Sequence, residues 1–328
     1  MIRTPTVFVL GAGASEPYGF PLGSELVEKI CRSLSKDNST LTGQLRLLEF
    51  SDELKRSFCG DLSASGRASI DAFLEKRPEY MEIGRTCIAA LLLPFEDEQE
   101  LSTIRESNDP RAIGLTLERA ARRNRRWYHY LFDQMMTGAD FEQNHLSVIS
   151  FNFDRSFERA MYRAVRANYQ GPEEEMVKRC ASLPIVHMHG MLGEPAWLHQ
   201  GGGVGRQYNG ANASKETLRS CAKEIKLYVE SSQDADLQLA ATLLHDASVV
   251  CFLGFSYHPS NLSKLNIETL RNKERGALVG TAYGLPNGPR QATSLHFATR
   301  IELQPRDWDI LTFLRESPFI HELPQRYV

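Results

Sequence analysis

The segment Thr6-Val7-Phe8-Val9-Leu10, broken at once by Gly11-Ala12-Gly13, constrains this chain more than any other feature. An unbroken β-branched and apolar run, with no polar alternation, suits a strand buried on both faces. That is the environment of a parallel sheet covered by helices. The pattern returns at Leu146–Ser150, Pro184–Met188, Ser248–Leu253 and Ala277–Gly280, with Ile301–Leu303 as a shorter repeat. Helical periodicity lies between most of these runs, as at Phe157–Val165 and Leu237–Leu244. Strands alternating with helices predict an α/β fold, a Rossmann-like parallel sheet with helices on both faces.

Between the first strand and the second the pattern changes. Residues Ser69 to Gln143 hold no strand signal, and the apolar sets Ile70/Phe73/Leu74, Ile83/Cys87/Ala90/Leu91 and Leu117/Ala121/Tyr128/Leu131 each fit one face of a helix. We read a helical insertion over about residues 37–143, within a core formed by about 1–36 and 144–328, the whole of 328 residues being one domain. Ser24 reads as the N-cap of a helix reaching about Leu34, with a surface turn over Lys36–Ser39. Asn108–Gly114 reads as a break inside the insertion. Gln200–Ser214 is glycine-rich and poor in apolar anchors, which predicts a mobile loop, a lid or an assembly contact. It lacks the Gly-Lys-Ser/Thr of a Walker loop.

Charge and composition exclude several classes. The 38 basic and 41 acidic residues leave −3, which gives no whole-molecule attraction to nucleic acid or anionic lipid. The longest apolar run, Cys87–Phe95, falls well short of the roughly 20 residues of a spanning helix. No export signal opens the chain, and a cytoplasmic protein is expected. The cluster Arg119, Arg122, Arg123, Arg125 and Arg126 reads as the solvated side of a helix rather than as a nucleic-acid surface. The cysteines show no CxxC spacing, so no zinc module is expected. A two-histidine metal site at His187 and His189 is conceivable but lacks an obvious third ligand, and no metal is expected. The cysteines read as reduced thiols packed as small apolar groups.

The residues that can carry chemistry fall at the ends of the strands. Gly11, Ala12, Gly13 and Ser15 follow the first, where glycines allow close approach of a diphosphate and successive N–H groups can point at it. The GxGxxG fingerprint fails, because Glu16 occupies its third glycine, and a plain tight turn is the alternative. Asn152 and Asp154 follow the second strand. Either could cap a helix starting near Arg155, or offer an amide and a carboxylate to a ribose and a carboxamide. His187 and His189 would share one face of an extended third strand, with His189 at its last position and His187 deeper and structural. Gly254 and Ser256 follow the next strand, suited to a phosphate or ribose contact or to a helix cap.

Taken in order, Gly11-Ala12-Gly13-Ala14-Ser15 with Gly19-Phe20-Pro21, then Asn152 and Asp154, then His189-Gly190, then Gly254 and Ser256, the motifs resemble those of sirtuins. Gly-Phe-Pro-Leu-Gly-Ser at 19–24 is closer to the sirtuin-like proteins of bacterial antiviral defence than to the deacetylases. The resemblance implies NAD+ as substrate, Asn152 and His189 as catalytic residues, Asp154 as the nicotinamide contact, and Gly11, Ala12, Gly13, Ser15, Phe20, Pro21, Gly254 and Ser256 as the remaining NAD+ contacts. The chain lacks the four-cysteine zinc module and the arginine after the glycine motif that deacetylating sirtuins carry. The resemblance therefore implies NAD+ glycohydrolysis in defence. A protein deacylase and a non-catalytic NAD or ADP-ribose-binding subunit are the alternatives. It further implies restraint by homo-oligomerisation or by a ring-forming ATPase or helicase partner.

Overall fold

The computed structural model describes residues 1–102, 117–136, 140–199, 205–210, 213–227, 235–271 and 276–317. Six strands, β1 (Thr6–Leu10), β2 (Leu146–Ser150), β3 (Ile185–His187), β4 (Val249–Leu253), β5 (Ala277–Gly280) and β6 (Ile301–Leu303), form one sheet in the order β3-β2-β1-β4-β5-β6. Every pairing is parallel. The expected Rossmann-like α/β architecture is therefore present, with strands at the places the apolar runs marked.

The alternation of side chains along each strand divides the core in two. Phe8, Leu10, Val148, Cys251, Leu253 and Val279 belong to one apolar cluster, while Val7, Val9, Ile149, Val250, Phe252 and Leu278 belong to the other. A strand with both faces buried has no use for polar residues, which explains the unbroken runs in the sequence. Complete burial of each such side chain is worth about 1.5–3 kcal/mol. The first cluster also holds Phe58, Phe73, Ile88, Trp127 and Leu131 from the insertion, so insertion and sheet share one core.

Strand order and register place the site. Thr6–Leu10 pairs with Leu146–Ser150 on one side and Val249–Leu253 on the other, so Leu10, Ser150 and Leu253 end level. The chain runs outward from β1 through β2 to β3, then crosses back to β4 and runs outward the other way. The order reverses between β1 and β4, and a crevice lies beyond the strand ends there.

Several local expectations need correction. The second helix after β1 spans Gly23–Leu34 with Leu22 as its N-cap residue, whose N–H donates to Glu25 Oε2 at 2.9 Å. Ser24 therefore lies within the first turn. Ala121 is exposed, and the helix Leu117–Asn124 ends before a separate one begins at Tyr128, so the set from Leu117 to Leu131 is not one continuous apolar face. The arginine cluster is not simply solvated either. Arg119 and Arg126 both pair with Glu100, and Arg125 pairs with Glu16. Residues 108–114 lie outside the described residues, as do 200–204 and 211–212 of the glycine-rich loop. The described part of that loop is anchored: Arg206 pairs with buried Glu96, Tyr208 is buried, and Gly210 packs on the Leu93 backbone. Among the described residues no helix is long and apolar enough to cross a membrane. All six cysteines are free thiols, four of them buried.

Candidate functional site

The floor of the crevice is built by close contact between two glycine turns. Gly11 N–H donates to Leu253 O at 3.1 Å, and Gly13 N–H donates to Gly254 O at 3.0 Å. Gly254 has φ +58°, and a Cβ there would lie 2.2 Å from the Ala14 nitrogen, so only glycine lets the β4 turn meet the β1 turn. This contact changes the reading of the first motif. The N–H groups of Gly11, Gly13 and Ala14 are all engaged by carbonyls, the last by Gly11 O at 2.8 Å. The glycines supply close packing and close approach rather than the row of free amides that the sequence suggested.

Asn152 stands just beyond β2 and is held by the β1 turn. Its Nδ2 donates to Gly11 O and to Ser15 Oγ, both at 3.0 Å. A carbonyl can only accept, so this contact fixes which end of the amide is nitrogen. The opposite atom, Oδ1, is buried with no hydrogen-bond donor. Such an atom costs roughly 1–3 kcal/mol of lost solvation, a penalty a bound hydroxyl or water would relieve. Asn152 is thus not a helix cap. Nor is Asp154 the N-cap, which is Arg155; from just before it, Asp154 Oδ1 accepts from Ser156 N–H at 3.0 Å and from Ser156 Oγ at 2.5 Å at the start of the helix Ser156–Asn168. Burial pushes the Asp154 carboxyl above its ordinary range, against the hydrogen bonds from Ser156 and Ser15.

The two histidines differ more than their spacing suggests. β3 ends at His187, and His189 lies two residues on, in a turn, so the shared strand face expected from sequence does not form. His187 is structural, as expected: Nδ1 meets Asn152 O at 3.0 Å, and Nε2 meets the Glu158 carboxylate. Burial opposes its protonation, yet Glu158, the Asn152 carbonyl and Asp154 together raise its pKa. His189 sits between Phe151 and Phe153, at ring distances of 5.3 and 5.8 Å. Its Nε2 lies 3.0 Å from Lys264 Nζ, which in turn donates to Glu75 at 2.6 Å. Burial first, and then the Lys264 charge, bring the imidazole down to about 4, with Asp71 pulling the other way. It is therefore neutral at physiological pH, with a lone pair on Nε2. The turn itself depends on Gly190, at φ +64°, where a Cβ would fall 2.0 Å from Glu224 O.

These elements surround one cavity of about 690 Å³, within the ordinary range for a small-molecule or cofactor site. The eleven residues expected to act on or contact NAD+ line it: Gly11, Ala12, Gly13, Ser15, Phe20, Pro21, Asn152, Asp154, His189, Gly254 and Ser256, while Gly19, His187 and Gly190 do not. Ser256 does not cap a helix; the next one, Pro259–Lys264, has His258 as its cap. The sequence reading missed Asp71 and Arg125 from the insertion, and Asn261, Tyr283 and Asp309 from the far half of the sheet, all of which line the same cavity. Asn261 Oδ1 is a second buried amide oxygen without a donor. Asp71 had a visible signal, a carboxylate on an otherwise apolar helical face. Asn261 and Arg125 had none.

Among the described residues no cluster of His, Cys, Asp or Glu is arranged to hold a metal ion. No family model and no curated protein matches this chain.

Proposed function

We propose that this protein is an NAD+ glycohydrolase that releases nicotinamide and ADP-ribose. The observation that carries the reading is Asn152, its amide nitrogen locked by Gly11 and Ser15 and its oxygen unpartnered, in one cavity with a neutral His189. The cavity lies where open α/β sheets bind nucleotides, and its two donorless amide oxygens suit the hydroxyls of a ribose.

In the reaction the bond between ribose C1′ and the pyridinium nitrogen breaks, and its electron pair leaves with nicotinamide as a neutral amide. Water bonds to C1′ and loses a proton. Asn152 Oδ1 accepts a hydrogen bond from a ribose hydroxyl or from that water, holding it on the face opposite the leaving group. His189 Nε2, which now accepts from Lys264, takes the proton as Lys264 releases that nitrogen and keeps its contact with Glu75. The buried Asp154 meets the carboxamide of the leaving group. Protein groups around the sugar stabilise the oxocarbenium-like charge that develops between bond cleavage and attack.

The resemblance to defence proteins extends the proposal: NAD+ is depleted on infection, and assembly with further copies or with a ring-forming ATPase restrains the activity until then. The chemistry is tested first. Chromatography of NAD+ after incubation with the protein should show nicotinamide and ADP-ribose in equal amounts. Asn152→Ala and His189→Ala should each slow release by about 10²–10⁴-fold while the chain remains folded. Parent-rate hydrolysis by both variants would end the assignment. Consumption that requires acetyl-lysine and yields an acetylated ADP-ribose would move the protein to the deacylases, and bound but intact NAD+ would make it a sensor.

A further inference from the structure

Arg125 is the only arginine or lysine among the described residues lining the cavity, against the carboxylates of Glu16, Asp71, Asp154 and Asp309. A dinucleotide brings two further negative charges. The backbone amides of Gly11, Gly13 and Ala14 are already engaged by carbonyls, which leaves those of Ala12, Phe255 and Ser256 as the backbone donors at this edge. The pocket as it stands thus has a deficit of positive charge for its ligand, and Arg125 is the one fixed cation able to offset it.

Its placement is specific. Trp127, two residues on, is fully buried, and its Nε1 donates to Ala14 O at 2.9 Å. The backbone N–H groups of Trp127 and Tyr128 both donate to Tyr18 Oη, at 2.9 and 2.7 Å, and the Tyr18 and Tyr128 rings stack at 3.9 Å. The insertion is therefore clamped directly onto the turn after β1, which brings Arg125 to the edge of the glycine motif. There the guanidinium lies 5.4 Å from the Tyr283 ring. Among the described residues only its Nη2 is engaged, meeting Glu16 at 3.1 Å to Oε1 and 2.9 Å to Oε2. Glu16 is the residue that replaces the third glycine of the dinucleotide fingerprint.

We infer that Arg125 is the diphosphate-binding cation of this pocket and that Glu16 is its internal competitor, a carboxylate occupying the guanidinium until a diphosphate displaces it. The inference rests on the dinucleotide reading above and adds to it. A guanidinium presents several donors in a planar fork, so one engaged nitrogen leaves it able to take a phosphate bidentately. A diphosphate with two charges outcompetes a single carboxylate for that fork.

Calorimetric titration of the full chain with ADP-ribose tests this, using wild type, Arg125→Met and Glu16→Gln. Arg125→Met should weaken binding about 10–100-fold, and Glu16→Gln should tighten it about 3–10-fold. A purely structural ion pair predicts no tightening in Glu16→Gln. Wild-type binding with Arg125→Met within twofold of it would overturn the latch while leaving the dinucleotide site standing. A wild type that binds neither ADP-ribose nor NAD+ would overturn the dinucleotide reading, and the latch with it. Should Arg125→Met fail to fold, the near-isosteric Glu16→Gln decides alone: tighter binding supports the latch, unchanged or weaker binding overturns it.

Discussion

The rim of the sheet and the helical insertion both contribute to the cavity, yet they are specified in different ways. At the rim, position follows from topology. β1, β2 and β4 end level, so Gly11, Asn152 and Gly254 arrive together once the strands are in register. In the insertion, position follows from long-range anchors: Trp127 on Ala14 O, Tyr18 on the 127–128 backbone, and Glu96 on Arg155. The rim supplies the amide and the imidazole proposed for the chemistry. The insertion supplies charge, through Arg125, Asp71 and Glu75, and sets the electrostatics in which those groups work.

The difference can be attacked most strongly at the joint between the two regions. Arg155, almost wholly buried at the start of the helix after β2, meets Glu96 of the insertion with Nε at 3.0 Å and Nη2 at 3.1 Å. Its other donors satisfy the carbonyls of Gly193, Glu194, Arg206 and Gln207. Arg155→Met leaves Glu96 buried with only Arg206, and should cost about 3 kcal/mol in urea unfolding. A loss below about 1 kcal/mol would show that the insertion does not depend on this joint.

A smaller effect is expected at the rim itself. Gly254→Ala forces a side chain against the Ala14 amide at positive φ and should cost about 1–3 kcal/mol, while also weakening ADP-ribose binding, because the β1 turn must move. Unchanged stability and binding would mean that the two glycine turns are not in the close contact on which the floor depends.

The smallest effect reads how a charge on the helix after β4 sets the chemistry of the rim. His189 is depressed to about 4 from an ordinary 6.5, by burial and then by Lys264, so folding and activity share a sign. The unfolded chain takes up the proton first as pH falls below 6.5. The contribution of this histidine is therefore complete above 6.5 and is lost as pH falls toward 4. Activity that needs the neutral imidazole should likewise persist below pH 6. Lys264→Met removes the positive neighbour, and the acid limb of the kcat profile should move up by about one pH unit. An unmoved limb would assign Lys264 to packing alone.

How legible each region was in the sequence follows from the same contrast. A strand buried on both faces must be apolar throughout, so β1, β2 and β4 could be read from Thr6–Leu10 and its later counterparts, and the residues beyond their ends followed. Helical periodicity shows which face is buried but not what covers it. Nothing in the run Asn124-Arg125-Arg126-Trp127 marks Arg125 as a cavity residue, because that depends on Trp127 reaching a carbonyl more than a hundred residues earlier. The engagement of the Gly11 and Gly13 amides was hidden for the same reason: it requires β4 as a neighbour. His189 was placed in the site but wrongly in a strand, since β3 stops where Met188 and Gly190 turn the chain.

The most direct test is a crystal structure of Asn152→Ala protein grown with NAD+. The account predicts one intact dinucleotide crossing the switch point between β1 and β4, its diphosphate beside Gly11–Ser15 and its nicotinamide ribose within hydrogen-bonding reach of His189. An empty crevice at millimolar NAD+, or a dinucleotide bound elsewhere on the molecule, would contradict it.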